Sequence, residues 1–257
     1  MWYGDELIAE QFPPPGIDDL LTVGGFLLIS APPKAGKSSF VLDMACSLAA
    51  GDCLWIPHWR PPEPWRVLIL DQENGKREMN ARLKALASIR SFNTRNIRGE
   101  SKNFTLRLDE IGGRIRIRNL IKDSEPHVVI LDPLQELHGK DENSASDMGT
   151  LMLHLQQMLE ETQTRGILLH HSRKPQDAML APNPVNSARG SSAITGAASG
   201  IVSIDSNVEQ CSATLRFRLR HDAEVTKMKF HYIKDTHHFE RINDQATDMR
   251  DMSAVRI

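Results

Sequence analysis

Three groups of residues in this chain are of types that could do chemistry on a phosphate ester. The first is Ala31-Pro32-Pro33-Lys34-Ala35-Gly36-Lys37-Ser38, followed by Ser39. Gly36 lets the backbone approach phosphate oxygens, Lys37 can reach the β- and γ-phosphates of a nucleotide, and the Ser38 hydroxyl can ligate Mg²⁺. The second group is acidic. Asp132 closes the run Val128-Val129-Ile130-Leu131, and a carboxylate after such a run, downstream of a phosphate loop, suits Mg²⁺ held through water. Glu73 follows the run Val67-Leu68-Ile69-Leu70-Asp71-Gln72. It reads either as a group that orients or deprotonates attacking water or as an acid favoured by the dipole of a helix start. Asp71 competes with it for that role. The third group is basic or imidazole: His170-His171, Arg189, and Arg216, Arg218 and Arg220 at alternate positions. The histidines read as a γ-phosphate sensor, or as one core and one surface histidine. The arginines read as phosphate contacts, in cis or across a subunit interface, or as a solvated basic face.

The elements that must position these groups are legible around them. Gly25-Phe26-Leu27-Leu28-Ile29-Ser30 is an apolar strand and Ser39–Ala50 a helix, so the phosphate loop joins a strand to a helix start, where N–H groups and the dipole favour anions. Ala31 stands where a glycine is usual, which requires a backbone with no positive φ at that point. Buried strands are expected at 66–71, 127–132 and 166–171, and helices over 75–90, 110–122 and 146–163. Met79, Leu83, Leu86 and Ile89 share one helical face; Ile111, Ile115, Leu120 and Ile121 are the apolar set of the next helix. A polar linker is expected at 91–103 and a short strand at 104–108. Strands at 200–205, 213–219, 226–233 and 238–242 close the chain. The fold class is therefore α/β, a mostly parallel sheet flanked by helices with antiparallel strands at its C-terminal end. The strand bearing Glu73 is expected beside the phosphate-loop strand, since ligands bind at the carboxyl edge of such sheets.

The divisions expected are a lead-in over 1–24, one domain over 25–245, and a polar tail over 246–257. Pro13-Pro14-Pro15-Gly16 interrupts the lead-in, whose Trp2, Tyr3 and Phe12 could pack on the core or on a neighbouring subunit. The Pro/Trp-rich stretch Trp55–Trp65 reads as a packed connector or as part of a base pocket or subunit contact. A net charge of −2 excludes a global basic field, so any nucleic-acid contact is a local patch. Three cysteines without metal spacing point to a reducing cytoplasm, and no apolar run has the length of a membrane span.

Taken in order, these motifs resemble a known family. Residues 31–38, Leu131-Asp132-Pro133-Leu134 with His138 and Asp141-Glu142-Asn143, His170-His171-Ser172-Arg173-Lys174, and Arg189-Gly190-Ser191-Ser192 look like the RepA-type ATPases. These are RecA-like hexameric helicases of plasmid and phage replication, related to the DnaB motor. The resemblance spans about residues 20–235. It implies ATP between subunits of a ring, with Lys37 and Ser38 on phosphate and Mg²⁺, Glu73 as catalytic glutamate, Asp132 as the Mg²⁺ carboxylate and His171 as γ-phosphate sensor. It also puts Arg82 near the nucleotide. Many members carry an arginine finger shortly after Arg-Gly-Ser-Ser; Thr195-Gly196-Ala197-Ala198-Ser199 has none, so the resemblance leaves Arg189, Arg218 or Arg220 to serve. The loop at 139–147 that would face the ring channel is acidic, which leaves DNA contact to 172–189.

The reading that follows is a Mg²⁺-dependent ATPase and replication helicase, forming a homo-oligomeric ring on single-stranded DNA, with a primase or replication initiator as partner and no membrane. The alternatives are a DNA-associated regulatory or recombination-mediator ATPase without motor activity, and a nucleotide-binding switch with weak hydrolysis.

Overall fold

The computed structural model describes residues 17–102, 106–172, 191–207, 210–219 and 226–242. The phosphate-loop strand, β1 (Phe26–Ala31), is buried at all six positions. It lies between β5 (Arg165–His171) and β6 (Gly200–Asn207), parallel to both. A strand buried on both faces has no polar positions to alternate, which is why Phe-Leu-Leu-Ile reads as a continuous apolar run. Beyond β5 come β4 (Val128–Asp132), β2 (Val67–Asp71) and β3 (Ile97–Ser101), all parallel. Beyond β6 come β7 (Ser212–Leu219), β8 (Thr226–Ile233) and β9 (His238–Ile242), all antiparallel. The sheet thus runs β3-β2-β4-β5-β1-β6-β7-β8-β9.

Alternation along the strands sorts side chains into two cores. Leu27, Ile29, Ile69, Ile130 and Leu169 pack toward α1 (Lys37–Ala50) and α2 (Lys76–Ala87), together with Leu215, Phe217, Phe230 and Phe239 of the antiparallel strands. Phe26, Leu28, Leu70, Leu131 and Leu168 face the opposite layer, α3 (Ile111–Ser124) and α4 (Ala145–Glu161). A short α5 (Ser192–Ala197) packs on α4. The second half of the expected lead-in is part of the first core, since Ile17, Leu20 and Leu21 are buried there. The Trp-rich stretch packs inward: Trp55 stacks on Phe40 at 5.0 Å, and Trp59 and Trp65 are buried.

Four expectations are corrected. The stretch 91–103 contains the edge strand β3; its mixed exposure leaves no periodic signal. No strand forms at Leu106–Leu108, where Leu106 and Leu108 are buried in the second core and the Leu108 N–H bonds to the Leu137 carbonyl. α3 buries Gly113, Ile117 and Ile121, while Ile111 is 70% exposed and Ile115 49%. The cause is Gly113, which lies so close to the Arg107 backbone that a side chain would collide with it. Ile89, expected on the buried face of α2, lies beyond the helix end and is exposed.

Candidate functional site

The phosphate loop takes its shape from two left-handed residues. Ala35 N–H bonds to the Pro32 carbonyl (3.2 Å), closing a turn with Pro33 second and Lys34 third, at φ 64°. A proline second and a positive φ third is the arrangement of a type II turn. Gly36 follows at φ 79° as the N-cap of α1. Ala31 is outside this demand: it closes β1 in register with His171 and is not among the positive-φ residues. No side chain caps α1, and its first turn carries no acid. Its orphan N–H groups and positive dipole end are left to an anion.

Lys37, the first residue of α1, is 5% exposed, and its ammonium has no hydrogen-bond partner among the described residues. Burial lowers its pKa, and Asp132 and Glu73 pull it back up. Asp132 ends β4, is 4% exposed, and accepts a hydrogen bond from Ser38 while its Oδ1 has no partner among the described residues. Burial pushes its carboxyl up to about 6, against the opposing Lys37 charge and the Ser38 bond and with help from Asp71 and Glu73. A buried ammonium without a hydrogen-bond partner and a buried carboxylate with one oxygen left over are costly unless a ligand supplies the missing partners. A polyphosphate with Mg²⁺ fits both at once: phosphate oxygens for Lys37 and the α1 amides, the cation for Ser38 and Asp132. Among the described residues no three His, Cys, Asp or Glu converge on one metal position; a Mg²⁺ held by Ser38 and Asp132 would take further ligands from phosphate and water, as Mg²⁺ prefers.

Glu73 sits just beyond β2, which is separated from β1 by β4 and β5 and not beside it as expected. It nonetheless reaches the site, because the end of β2 is in register with the end of β4 (Asp71 opposite Asp132). Glu73 is exposed, and its charge acts on both Lys37 and Asp132. Asp71 is the residue that places it. The Asp71 Oδ1 accepts the N–H groups of Glu73 (2.9 Å) and Asn74 (2.8 Å), an Asx-type turn that swings the chain off the strand. Gln72 is locked by its N–H to the Asp132 carbonyl (2.7 Å). The Asp-x-x-Asn spacing of 71–74 was the available signal for this role.

Arg82 lies on α2, ion-paired with Glu78 and near enough to Asp71 and His237 to shift both. His171 is half-buried beside the start of the phosphate loop; His170 points the other way and is buried. Ser39 is buried with its hydroxyl 3.5 Å from the His237 ring. Residues 31–39, Asp132, Glu73 and His171 therefore converge on the carboxyl edge of β1, β4, β2 and β5. Arg218 does not. It is exposed on β7, opposite Ile201, which is level with Leu28 of β1. That places it about 10 Å back along the strands and about 10 Å across two of them, by ordinary strand spacings. It also faces the side of the sheet opposite α1, because Leu215, Phe217 and Leu219 take the α1 side. Arg189 and Arg220 lie outside the described residues.

A parallel sheet with this loop, and with acidic groups on neighbouring strand ends, defines a P-loop ATPase of RecA-like topology. A family model described as "AAA domain" matches residues 4–177, and the chain belongs to that family. Comparison with curated protein sequences returns no match. Among solved structures, the chain is similar to the ATPase domain of a phage protein, with TM-score 0.65, 18% identity, and coverage of 93% of this chain and 95% of that one. It is similar to a DnaB-like replicative helicase whose structure describes interactions with primase, with TM-score 0.62, 20% identity, and coverage of 90% and 62%. It therefore spans less than two thirds of that helicase chain. A third similar structure is the KaiC-like protein PH0186 from Pyrococcus horikoshii OT3, with TM-score 0.56, 14% identity, and coverage of 89% and 96%. At these identities the likeness establishes a shared fold.

Proposed function

We propose that this chain hydrolyses ATP with Mg²⁺ at a site completed by a neighbouring copy, and that the assembly is a hexameric ring that moves along single-stranded DNA as a replication helicase. The observation that carries the first part is the pairing of Lys37 and Asp132, oppositely charged and buried, the Lys37 ammonium and the Asp132 Oδ1 each lacking a hydrogen-bond partner among the described residues, at the foot of an uncapped helix. Lys37 and the first amides of α1 bind the outer phosphates. Ser38 and Asp132 hold Mg²⁺, which supplies charge neutralisation on the phosphates. Glu73, exposed at the rim, orients a water for attack and takes its proton. His171, beside the start of the loop, senses whether a γ-phosphate is present.

The second copy enters through charge. Arg218 is turned away from its own phosphate loop, on a face it shares with Arg216 and, one strand over, Lys227 opposite Arg216. An arginine so placed serves a site on another subunit, a task worth several powers of ten in rate. Arg220, at the next alternate position, and Arg189 share the candidacy. The helicase reading is supported by the fold shared with the phage ATPase domain and the DnaB-like helicase, and a primase or initiator partner belongs to the same reading. The absence of arginine from Thr195–Ser199 favours the second reading, a DNA-associated regulatory ATPase or slow nucleotide switch. Mass measurement with and without an ATP analogue and single-stranded DNA, paired with a directional strand-displacement assay, separates them. A ring that displaces strands supports the helicase, and a ring that hydrolyses without displacing supports the switch. A monomer under every condition contradicts both the ring and the shared site.

A further inference from the structure

Behind the nucleotide edge, on the α3/α4 side of the sheet, one carboxylate stands between two buried imidazoles. Glu142 Oε1 lies 3.9 Å from His138 Nε2 and 3.9 Å from His170 Nδ1. Both distances are too long for a hydrogen bond, and Glu142 Oε1 and His138 Nε2 are buried without a hydrogen-bond partner among the described residues. The His138 tautomer follows from its other nitrogen. The Lys140 N–H donates to His138 Nδ1 at 3.1 Å, so in the neutral ring Nδ1 is the acceptor and the proton is on Nε2, facing Glu142. A carboxylate midway between two buried imidazoles can close by roughly an ångström onto either. In a buried site a closure onto a ring N–H forms a charge-assisted hydrogen bond, and the carboxylate is equally distant from the two rings.

The three residues belong to three segments. His170 is the neighbour of His171 on β5, in register with Ser30 of β1. His138 begins the loop to α4, whose near end is pinned because Gly139 N–H bonds to Asp109 Oδ2 (3.0 Å), itself held by Arg107. Glu142 is in the span beyond that pin, and its carbonyl accepts the N–H of Ser191, the N-cap of α5, at 2.7 Å. Glu142 is thus in contact range of the β5 end on one side and bonded to the start of α5 on the other.

We propose that Glu142 is the positioning residue that couples the phosphate-sensing end of β5 to the 140–144 loop and the start of α5, by closing onto His170 in one nucleotide state and onto His138 in the other. This rests on the nucleotide-site reading above. Glu142 touches no phosphate, and its effect is on the loop's response to nucleotide, not on binding.

The test is amide hydrogen exchange on the intact chain, with and without a non-hydrolysable ATP analogue and Mg²⁺. Protection of Ala35–Ser39 reports on the nucleotide site itself. If it does not appear, the nucleotide reading fails. If it appears and the wild-type amides of 140–144 and 191 do not respond, this coupling is overturned while the nucleotide reading stands. The expected wild-type response is a change of between about 5-fold and about 100-fold in exchange at 140–144 and 191. Glu142→Gln should abolish that response with analogue affinity within about twofold of wild type. His138→Asn keeps an acceptor for the Lys140 N–H but loses the group at Nε2, and should also uncouple. His138→Gln keeps reach toward Glu142 and should retain the response. A merely structural role would shift exchange equally in both nucleotide states in all three variants, and that result contradicts the proposal.

Discussion

The two halves of the sheet treat their charged residues in opposite ways. In the parallel half, β1, β4, β2 and β5 end at one edge and deliver Lys37, Asp132, Glu73 and His171 to one place. In the antiparallel half, β7 and β8 carry the exposed Arg218 and Lys227, with Arg216 largely buried and paired with Asp205, on a face that leads away from that place. Parallel strands concentrate chemistry because every carboxyl end points the same way. Antiparallel strands spread it over a surface. In the function proposed above, the site is assembled from two copies, the acids and the phosphate loop from one and the arginine from the next.

The halves are nonetheless one body. Phe40 of α1 stacks on Trp55 and packs edge-on against Phe230 and Phe239, and Trp55 meets Phe217. The Asp43 Oδ2 accepts the Phe239 N–H (2.9 Å), and its Oδ1 accepts from Arg90 (2.9 Å). The start of β9 is thereby fastened to the helix that starts at the phosphate loop.

The largest effects should come from the parallel half. Lys37→Ala and Glu73→Gln should each lower turnover by about 10³-fold or more, Lys37→Ala through phosphate binding and Glu73→Gln with analogue binding intact. Steady-state ATPase and analogue titration check this, and unchanged turnover in Glu73→Gln would return Glu73 to the status of a helix-start acid. Next comes the antiparallel half: removing Arg218 and Arg220 should cost about 10³-fold in turnover with little change in analogue affinity. A change confined to affinity would mean that those arginines belong to binding.

Stability changes follow. Phe40→Ala should cost about 3–5 kcal/mol, as large aromatic truncations do. It should lower both halves together in one thermal transition; two separate transitions would break the view that the aromatic cluster joins them. Asp132→Asn should act in the opposite direction. The native carboxyl loses its proton near 6 and the unfolded one near the usual carboxylate value, so the native state holds the extra proton between them. Stability from this group is therefore present at low pH and is lost as pH rises to about 6. At pH 7, without nucleotide, Asp132→Asn should raise stability by roughly 1–3 kcal/mol while abolishing turnover. Denaturant melts at pH 5 and pH 7 check the sign, and the gain should shrink at the lower pH. The smallest pair is in α3. Gly113→Ala should destabilise by about 1–3 kcal/mol through collision with Arg107, whereas Gly112→Ala, in open space, should stabilise by up to about 1 kcal/mol.

That pair also marks a limit of the sequence. α3 offers two stripes, Ile111-Ile115 and Gly113-Ile117-Ile121, each with four-residue spacing, and a buried glycine sends no apolar signal. The wrong stripe therefore reads as the inner one. β3 was hidden because an edge strand half open to water needs no alternation. The position of Glu73 was readable and the order of its strand was not, since two strands inserted between β2 and β1 leave no trace in local spacing. The placing of the phosphate loop and of Asp132 at strand ends was legible because it depends on short-range spacing within a single strand and turn. The His138–Glu142–His170 group was not, because its members meet only through the tertiary fold.

The shared site is tested most directly by mixing two inactive proteins. A Lys37→Ala variant keeps its arginines, and a variant lacking Arg218 and Arg220 keeps its phosphate loop; one lacking Arg189 is run in parallel. Each alone should be inactive. Assembled together at equal amounts, about a quarter of the interfaces should pair an intact loop with an intact arginine from the neighbour, and ATP turnover should return to about that fraction. A mixture as inactive as its components, in rings shown to contain both chains, would contradict the account.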